Sequence, residues 1–510
     1  MTLDHLVRIC GVLLATALLA ACTSGGSDSA FQPSFDEQPC PQELESVLIP
    51  THSCGYLTVL EDRSRSSGRT IQLFVVRIEP QGGAPEGGAA MFVPGQDLAV
   101  ESDFYGTANL AQRVDREVFL MDQRGTGRSL PSLDCPEIDA LSAAALREGI
   151  DGASSRAAFI DAVSACRARL TGEGVDVAAY DLSAMAQDGL DLRRALGIDI
   201  WGITTYGTAS LVALEMLRED PAHVDVMVLD SPEFPQDDPL TTDVAGTHEA
   251  VAAIFRACER QARCASAYPR LDGALRRATA RLDDHPVTVS TRTPSGNRFD
   301  VRVDGSALLR AIRSALRWQT DALDASEPAA VYAAVHGDVA SVIAPNLAYA
   351  PAFCAGYLPS CDENHAVSEG TYLSVMCQGF ASWADPAASP RLPEGEQLFA
   401  TFANNPWVDG CAAWKVGPAD PSVAQPVSSD VPMLILLGRY DPYTSAGVVQ
   451  RATETLTGSW VVTNPSGGHN ALSQSCMIQI RNAWVGDPTS PPDLECLSSI
   501  PRKPFVIDRS

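Results

Sequence analysis

The stretch Ile198–Pro221, IDIWGITTYGTASLVALEMLREDP, contains the pattern around which the rest of the chain is arranged. Its first residues are apolar and rich in β-branched side chains, which is typical of a strand buried on both faces. From Ala209 to Leu217 the apolar residues follow a helical spacing, and Pro221 ends that spacing. The sequence therefore predicts a strand, a short turn that contains a glycine, and a helix.

A strand, a tight turn and a helix form the outline of a nucleophile elbow, in which the serine of a G-x-S-x-G motif lies on the turn. Two alignments of this turn are open. Local similarity to the string GVSYGT sets Thr205 in the serine position, but it puts Ile203 where a glycine allows the backbones to approach. Spacing from both ends of the stretch sets Gly207 there instead, with Thr208 beside it. Neither alignment supplies a serine, so Thr208 and Thr205 are the candidate nucleophiles.

An acid and a histidine follow two later apolar runs. Val431–Leu437 is uniformly apolar, which predicts a central parallel strand, and Asp441 comes shortly after it. Ser459–Val462 predicts a further strand, and the glycine-rich loop after it ends in His469. A hydroxyl nucleophile needs a base beside it, and the base needs an acceptor for its other ring nitrogen. Asp441 and His469 are candidates for these two roles, with a turn-capping aspartate before Pro442 and a structural histidine as the alternatives.

The most specific string in the chain is DQRGTGRS, Asp122–Ser129, which ends the short apolar run that begins at Val118. A phosphate-binding loop is excluded because no G-K-[ST] follows the glycines. The string closely resembles the DQRG-S/T-GRS motif of the proline iminopeptidase and tripeptidyl aminopeptidase family of α/β-hydrolases. The resemblance continues in DLRRALGI before the elbow and in VMVLDSPEFPQ after it. It implies an α/β-hydrolase fold, with a mostly parallel central sheet and an inserted, mostly helical cap.

Members of that family are serine peptidases that release residues or short peptides from a free N-terminus. The resemblance implies that Asp441 is the acid of the site and that His469 is its base. It also implies an oxyanion hole in the loop after an early strand, where the family has two glycines before Pro-Gly. This chain keeps only the Pro-Gly part, with bulky residues in place of the two glycines. Gly95 and Gln96 are therefore the candidate oxyanion-hole residues.

The order of these patterns predicts five segments. A cap is expected where the composition becomes rich in Ala, Arg and Asp, because the apolar run of a central strand resumes only after that region. The segments are a signal peptide of the lipoprotein type at 1–21, a tether at 22–45, the first part of the hydrolase core at 46–233, the cap at 234–414 and the second part of the core at 415–510.

The N-terminus and the cysteines indicate export. The apolar run GVLLATALLAAC is too short for an ordinary membrane span and ends in a string that resembles a lipobox. Cys22 is therefore a candidate for lipidation, with a plain cleaved signal peptide as the alternative. Cys10 lies in the signal, and the other twelve cysteines suit disulfides better than a metal site, since C-x-x-C pairs are absent from the sequence. Sequence neighbours give six candidate pairs: Cys40 with Cys54, Cys135 with Cys166, Cys258 with Cys264, Cys354 with Cys361, Cys377 with Cys411, and Cys476 with Cys496.

The net charge of −26 argues against nucleic acid as a partner, because its phosphates would be repelled, and leaves a lipid anchor as the expected membrane attachment. No metal and no organic cofactor is expected. We expect an exported hydrolase of peptides or small esters, anchored to the outer face of the bacterial cell membrane or secreted. Two alternatives stay open on the same fold: a catalytically inactive binding or scaffold protein, and an esterase.

Overall fold

The computed structural model describes residues 31–45, 52–80, 89–93, 116–139, 141, 153–292, 298–317, 326–342, 368–383, 392–403, 406–501 and 504–507. The strands in these ranges are β1 Ser34–Gln38, β2 His52–Leu60, β3 Thr70–Ile78, β4 Ala89–Val93, β5 Glu117–Met121, β6 Trp201–Tyr206, β7 Val224–Asp230, β8 Val287–Arg292, β9 Arg298–Val303, β10 Met433–Gly438 and β11 Ser459–Asn464. The α-helices are α1 Gln42–Glu45, α2 Pro136–Asp139, α3 Ala153–Gly172, α4 Leu182–Ala195, α5 Ala209–Glu219, α6 Pro239–Glu259, α7 Ala262–Ala267, α8 Leu271–Asp284, α9 Gly305–Arg317, α10 Glu327–His336, α11 Glu369–Gln378, α12 Phe380–Trp383, α13 Pro406–Trp414, α14 Ala446–Thr453 and α15 Ser475–Gly486. None of the helices in these ranges has the length and apolar character needed to cross a membrane.

Nine of the strands form one sheet, in the order β1-β2-β3-β5-β4-β6-β7-β10-β11. The last six strands in this order run parallel to one another: β5, β4, β6, β7, β10 and β11. Strands β1, β2 and β3 pair antiparallel with their neighbours. Strands β2 and β3 form an antiparallel hairpin. Ser34–Gln38, inside the segment predicted as a tether, pairs with β2 as β1 and is the edge of the sheet.

The central strands are buried on both faces because helices cover the sheet on each side. All six residues of β10 are buried, as are the first five of β6, which explains why both segments are apolar or β-branched throughout. Helices α4 and α5 pack closely against each other, since a side-chain carbon at Gly189 would lie 2.9 Å from the sulfur of Met216. This doubly covered, mostly parallel sheet confirms the predicted α/β-hydrolase fold.

The parallel strands place the candidate site at one edge of the sheet. The turn after β6, the loop after β10 and the loop after β11 all leave the sheet at its carboxyl end. In open α/β sheets this is the edge where ligands bind.

The insertion between β7 and β10 divides between two hydrophobic clusters. Helices α6 to α10, the antiparallel pair β8 and β9, and residues 392–403 share a cap cluster of their own. Helices α11 and α13 instead contribute to the central core, where Trp407 meets the ring of Phe159 on α3. Within the segment 234–414 predicted as a cap, the described residues therefore belong to two clusters, and α11 and α13 pack with the central core.

Five disulfide bonds are present among the described residues, and each joins a pair of sequence neighbours. They are Cys40–Cys54, Cys135–Cys166, Cys258–Cys264, Cys377–Cys411 and Cys476–Cys496. The candidate pair Cys354 and Cys361 lies outside the described residues, as does Cys22.

Candidate active site

The turn between β6 and α5 is centred on Gly207. Its φ of +58° lies in the left-handed region that glycine adopts without strain. Three hydrogen bonds fix the backbone of the turn: Gly207 N donates to Asp230 O at 2.9 Å, and Gly207 O accepts from Ser210 Oγ at 2.7 Å and from Ser210 N at 3.1 Å. Thr208 follows as the N-cap of α5 with φ −60°. The sharp backbone reversal that defines an elbow is therefore made at position 207.

Position 207 faces the histidine of the site. A side-chain carbon on Gly207 would lie 3.6 Å from His469 Nε2, which is ordinary van der Waals contact. Among the described residues outside the turn itself, no other heavy atom comes within 4 Å of that carbon. A hydroxymethyl group at position 207 would therefore have room, and its oxygen would be within reach of the imidazole.

His469 is oriented by a buried carboxylate. Its Nδ1 lies 3.1 Å from Asp441 Oδ1 and 3.0 Å from Oδ2, and the Asp441 side chain is fully buried. Asp441 Oδ1 also accepts backbone hydrogen bonds from Tyr443 N at 2.8 Å and Thr444 N at 3.0 Å. Burial by itself raises the pKa of Asp441, but the interaction with His469 and the two backbone donors outweigh it and hold the pKa below its ordinary value. Asp441 is thus an anionic acceptor that directs Nδ1 inward and Nε2 toward Gly207.

A second buried carboxylate, Asp230 at the end of β7, positions the loop that carries His469. Its two oxygens accept hydrogen bonds from Ala471 N and Leu472 N, both at 2.8 Å. Burial raises the pKa of Asp230 to about 6, against the opposing effect of these donors. Asp230 was not predicted as a site residue, although it lies in the string VMVLDSPEFPQ after the elbow. Its position at the carboxyl end of a buried strand was the available signal.

Aromatic and cationic side chains surround the imidazole. The rings of Tyr206 and Tyr443 lie 5.0 and 4.8 Å from the His469 ring, centroid to centroid. The guanidinium of Arg313, on cap helix α9, lies 4.1 Å from the centre of the Tyr443 ring and pairs with Asp243 at 2.7 Å. The cap therefore brings a positive group close to the site.

The predicted nucleophiles lie next to position 207 but differ from it in backbone geometry. Thr205 is a fully buried residue of β6, paired with Leu229 of β7. Thr208 is partly buried at the start of α5. Neither has a positive φ. The candidate oxyanion-hole residues Gly95 and Gln96 lie outside the described residues.

The string Asp122–Ser129 has a supporting position between the sheet and α4. The guanidinium of Arg124 is fully buried and donates to both carboxylate oxygens of Asp188 at 2.7 Å and to Glu61 O at 3.0 Å. Ser129 Oγ donates to Asp122 O at 3.0 Å and closes the turn. The residues that carry the family resemblance therefore hold the core together at this point.

One group of three side chains in the described part of the chain has the spacing of metal ligands: Cys135, Glu137 and Cys166. The two cysteines are joined in a disulfide, so neither offers a thiolate. This group does not suit a metal ion.

Comparison with known proteins agrees with the assignment of the C-terminal region. Residues 396–496, which include Asp441 and His469, match the family model described as TAP-like protein, Abhydrolase_4. The chain thus has the α/β-hydrolase fold, and its C-terminal region is similar to the TAP-like family. No curated protein matches the sequence.

Several solved structures resemble the chain at low identity. A proline iminopeptidase of Mycobacterium smegmatis is 12% identical, with 85% of this chain and 98% of that chain covered and a TM-score of 0.37. A proline iminopeptidase-related protein of Thermus thermophilus is 16% identical, with 88% and 98% covered and a TM-score of 0.37. A thermophilic esterase of Thermogutta terrifontis is 13% identical, with 82% and 95% covered and a TM-score of 0.37.

Proposed function

We propose that this protein hydrolyses peptides near a free N-terminus, with a water molecule activated by His469 as the nucleophile. The observation that carries the proposal is the orientation of the His469 ring, which has Asp441 at one nitrogen and Gly207 at the other. This is the arrangement of a general base whose proton acceptor is directed at a specific point.

The proposed reaction uses the volume beside Gly207 for the attacking water. Asp441 accepts a hydrogen bond from the Nδ1–H of His469, which leaves the Nε2 lone pair facing position 207. Nε2 takes a proton from the water as its oxygen bonds to the scissile carbonyl carbon. Asp441 stabilises the imidazolium that forms, and Nε2 then returns the proton to the leaving amine as the carbon–nitrogen bond breaks. No covalent acyl-enzyme is formed.

Turnover by this route is slow. In a serine hydrolase, removal of the nucleophile lowers kcat by on the order of 10⁶, and about 10³ to 10⁴ of rate enhancement over water remains. The proposal needs neither Thr205 nor Thr208 as a nucleophile, so their predicted role stays a prediction. An ester substrate would be cleaved by the same steps, with an alcohol as the leaving group.

The peptide preference rests on the resemblance to aminopeptidases and on the TAP-like match of residues 396–496. The family resemblance leads us to expect a cap carboxylate that binds the amino group of the substrate. In the described part of the cap, Asp243 lies beside the site but pairs with Arg313. Because these two charges neutralise each other, neither of them indicates a side-chain preference of the substrate.

A second candidate function is peptide binding without turnover. The glycine at position 207 favours it, because the turn keeps its shape while the side chain that would start acyl transfer is missing. The two candidates share the ligand and differ only in whether a bond is broken.

The proposed mechanism is tested on the full chain with tripeptide amides that have a free N-terminus, beside their N-acetylated counterparts. We expect slow cleavage of the free peptides that is lost in His469→Ala. The matched control is His223→Ala. His223 immediately precedes β7, at the amino end of this strand and away from the candidate site, and it pairs with Asp220. Absence of cleavage together with retained peptide binding would contradict hydrolysis and support the second candidate function, peptide binding without turnover.

A fluorophosphonate probe separates the water mechanism from a side-chain nucleophile. We expect no labelling of the wild-type chain, because labelling requires an activated hydroxyl. Labelling that disappears in His469→Ala would contradict the water mechanism, and Thr208→Ala and Thr205→Ala would then identify the nucleophile.

We further propose that the chain is exported and anchored through a lipid on Cys22. Five disulfides support an oxidising compartment, since such bonds are rare where thiols are kept reduced. Mass spectrometry of the mature N-terminus tests the anchor. A lipid mass on Cys22 that is absent from Cys22→Ala would support it, and an unmodified N-terminus elsewhere would contradict it.

A further inference from the structure

A second cavity lies at the carboxyl edge of the sheet, beside the loops after β10 and β11. It has a volume of about 580 Å³, within the range of small-molecule sites. Residues of helix α6 and four residues near the C-terminus, Leu497, Ser498, Ile500 and Phe505, form part of its lining. Its lining includes none of Gly207, Asp441 and His469, so it is separate from the candidate active site.

Two arginines give one part of this cavity a positive charge. Arg260, after α6, and Arg439, after β10, both line it and are both exposed. Neither guanidinium forms an ion pair with a residue in the described ranges, although the chain has 63 acidic and 37 basic side chains. In such an acidic protein, two unpaired cations that converge on one cavity favour an anionic ligand.

Tyr440, which also lines the cavity, interacts with both of these charges. Tyr440 is buried, and burial raises its pKa, while Arg439 and Arg260 both act in the opposite direction. Both cations are thus close enough to interact with the same phenol. Glu327 is the acidic group that acts on Tyr440, and it is itself buried on α10.

The remaining walls of the cavity are apolar. Ile254 and Phe505 are buried, and Leu497 and Ile500 are half-buried. A wholly polar ion would leave the exposed parts of Leu497 and Ile500 in contact with water. A ligand with an apolar chain would cover these parts and gain from their burial.

We propose that this cavity binds a small amphiphilic carboxylate, with the carboxylate between Arg260 and Arg439 and the apolar chain against Leu497 and Ile500. A guanidinium matches a carboxylate in both charge and planar geometry, so a pair of them selects this group over a neutral one. The proposal does not depend on the proposed hydrolysis.

The backbone links this cavity to the loops of the candidate active site. Arg439 N donates to Asn464 O at 2.9 Å, and Tyr440 N donates to Gly467 O at 2.9 Å. These two bonds join the loop that carries Asp441 to the loop that carries His469. A carboxylate bound at Arg439 would therefore lie beside the backbone hydrogen bonds that join the loops of Asp441 and His469.

Calorimetric titration of the full chain with octanoate, octan-1-ol and acetate tests the proposal. Octanoate is expected to bind at least about tenfold more tightly than the other two, because only octanoate has both the charge and the chain. Equal binding of octan-1-ol would show that the arginines do not select the ligand. Equal binding of acetate would show an anion site without a role for the apolar wall. Either outcome would overturn the proposal.

Variants locate the site. Arg260→Gln together with Arg439→Gln is expected to weaken octanoate binding by about tenfold or more, and Ile500→Ser is expected to weaken it less. Arg277→Gln, an exposed arginine on α8 outside the cavity, is the matched control and is expected to bind as the wild type does. Both exposed arginines can be replaced without disturbing the core, and unchanged thermal unfolding confirms this. Undiminished binding by the double variant would place the ligand elsewhere and overturn the assignment.

Discussion

The elbow at Gly207 and the loops of Asp441 and His469 face each other across a few ångströms, but they differ in what they retain. At the elbow, the backbone has the positive φ and the strand-to-helix reversal of a nucleophile turn, without a nucleophilic side chain. In the two loops, His469 lies against Asp441, and two backbone N–H groups donate to the carboxylate of Asp441.

The comparison teaches that the shape of a catalytic turn and its chemistry are held by different residues. The shape depends on Ser210 and on the neighbouring end of β7, which bond to the carbonyl and amide of Gly207. Acyl transfer would depend on a hydroxyl side chain at position 207, and none of these hydrogen bonds requires such a side chain. The geometry around position 207 can therefore exist without a hydroxyl group on that residue.

Gly207→Ser is the most direct way to sharpen this comparison. We expect the serine oxygen to meet His469 Nε2 and to restore acyl-enzyme chemistry, with a gain of up to about 10⁶ in kcat. A serine at positive φ costs about 1 to 3 kcal/mol of strain. Fluorophosphonate labelling and peptide amide cleavage measure the gain. Gly207→Ala carries the same strain without the hydroxyl and is the control. An inactive Gly207→Ser that is folded would mean that more than the side chain was lost.

Asp441→Asn in the Gly207→Ser background tests the other region. An amide at this position presents N–H to His469 Nδ1, which forces the proton onto Nε2 and removes the base. We expect labelling to fall by about 10⁴ relative to Gly207→Ser alone. Equal labelling of the two variants would break the comparison, because it would show that Asp441 does not orient the histidine.

Asp230→Asn tests how the His469 loop is supported. The folded pKa of Asp230 is raised to about 6 from an ordinary value of 3.8, so the folded state binds more protons between these values. The free energy of unfolding of the wild type therefore falls as pH rises through this window, by roughly 3 kcal/mol in total. Asn does not ionise, so from pH 4 to 6.5 the variant should gain roughly this amount relative to the wild type. Denaturant unfolding at both pH values measures it, with the exposed Asp199→Asn as control. Parallel pH profiles would contradict the assignment.

Ser210→Ala gives the smallest expected effect. Its hydroxyl donates to Gly207 O and accepts from Glu233 N at 2.9 Å, so the alanine leaves a buried carbonyl and amide with fewer partners. We expect a loss of about 1 to 2 kcal/mol in the free energy of unfolding. Ser164→Ala, on the exposed face of α3, is the control for the measurement. A loss no larger than that of the control would show that the elbow holds its shape without Ser210.

Much of the framework follows from sequence because it depends on local pattern. The apolar runs at Val431–Leu437 and Ser459–Val462 predicted strands whose ends carry Asp441 and His469, and the family-like string predicted the fold. Two alignments of the elbow could not be separated in this way. The choice depends on which residue meets an imidazole far along the chain, and only the folded backbone places Gly207 there.

Other features were beyond reach for the same reason. No local pattern indicates that Asp230 bonds to Ala471 and Leu472, since those partners are brought together by strand order. Arg124 lies in the most recognisable string of the chain, but its partner Asp188 comes from a helix in a separate segment. In both cases the sequence identifies the residue and the packing supplies its partner.

The path of the chain between β7 and β10 limits how the cap cluster can be exchanged between proteins. After α10 the chain returns to the central core as α11, goes back to the cap cluster at 392–403 and enters the core again as α13. Cys377–Cys411 ties the two returning helices together. A graft that transfers the cap cluster to a related scaffold must therefore match four junctions with the core instead of two.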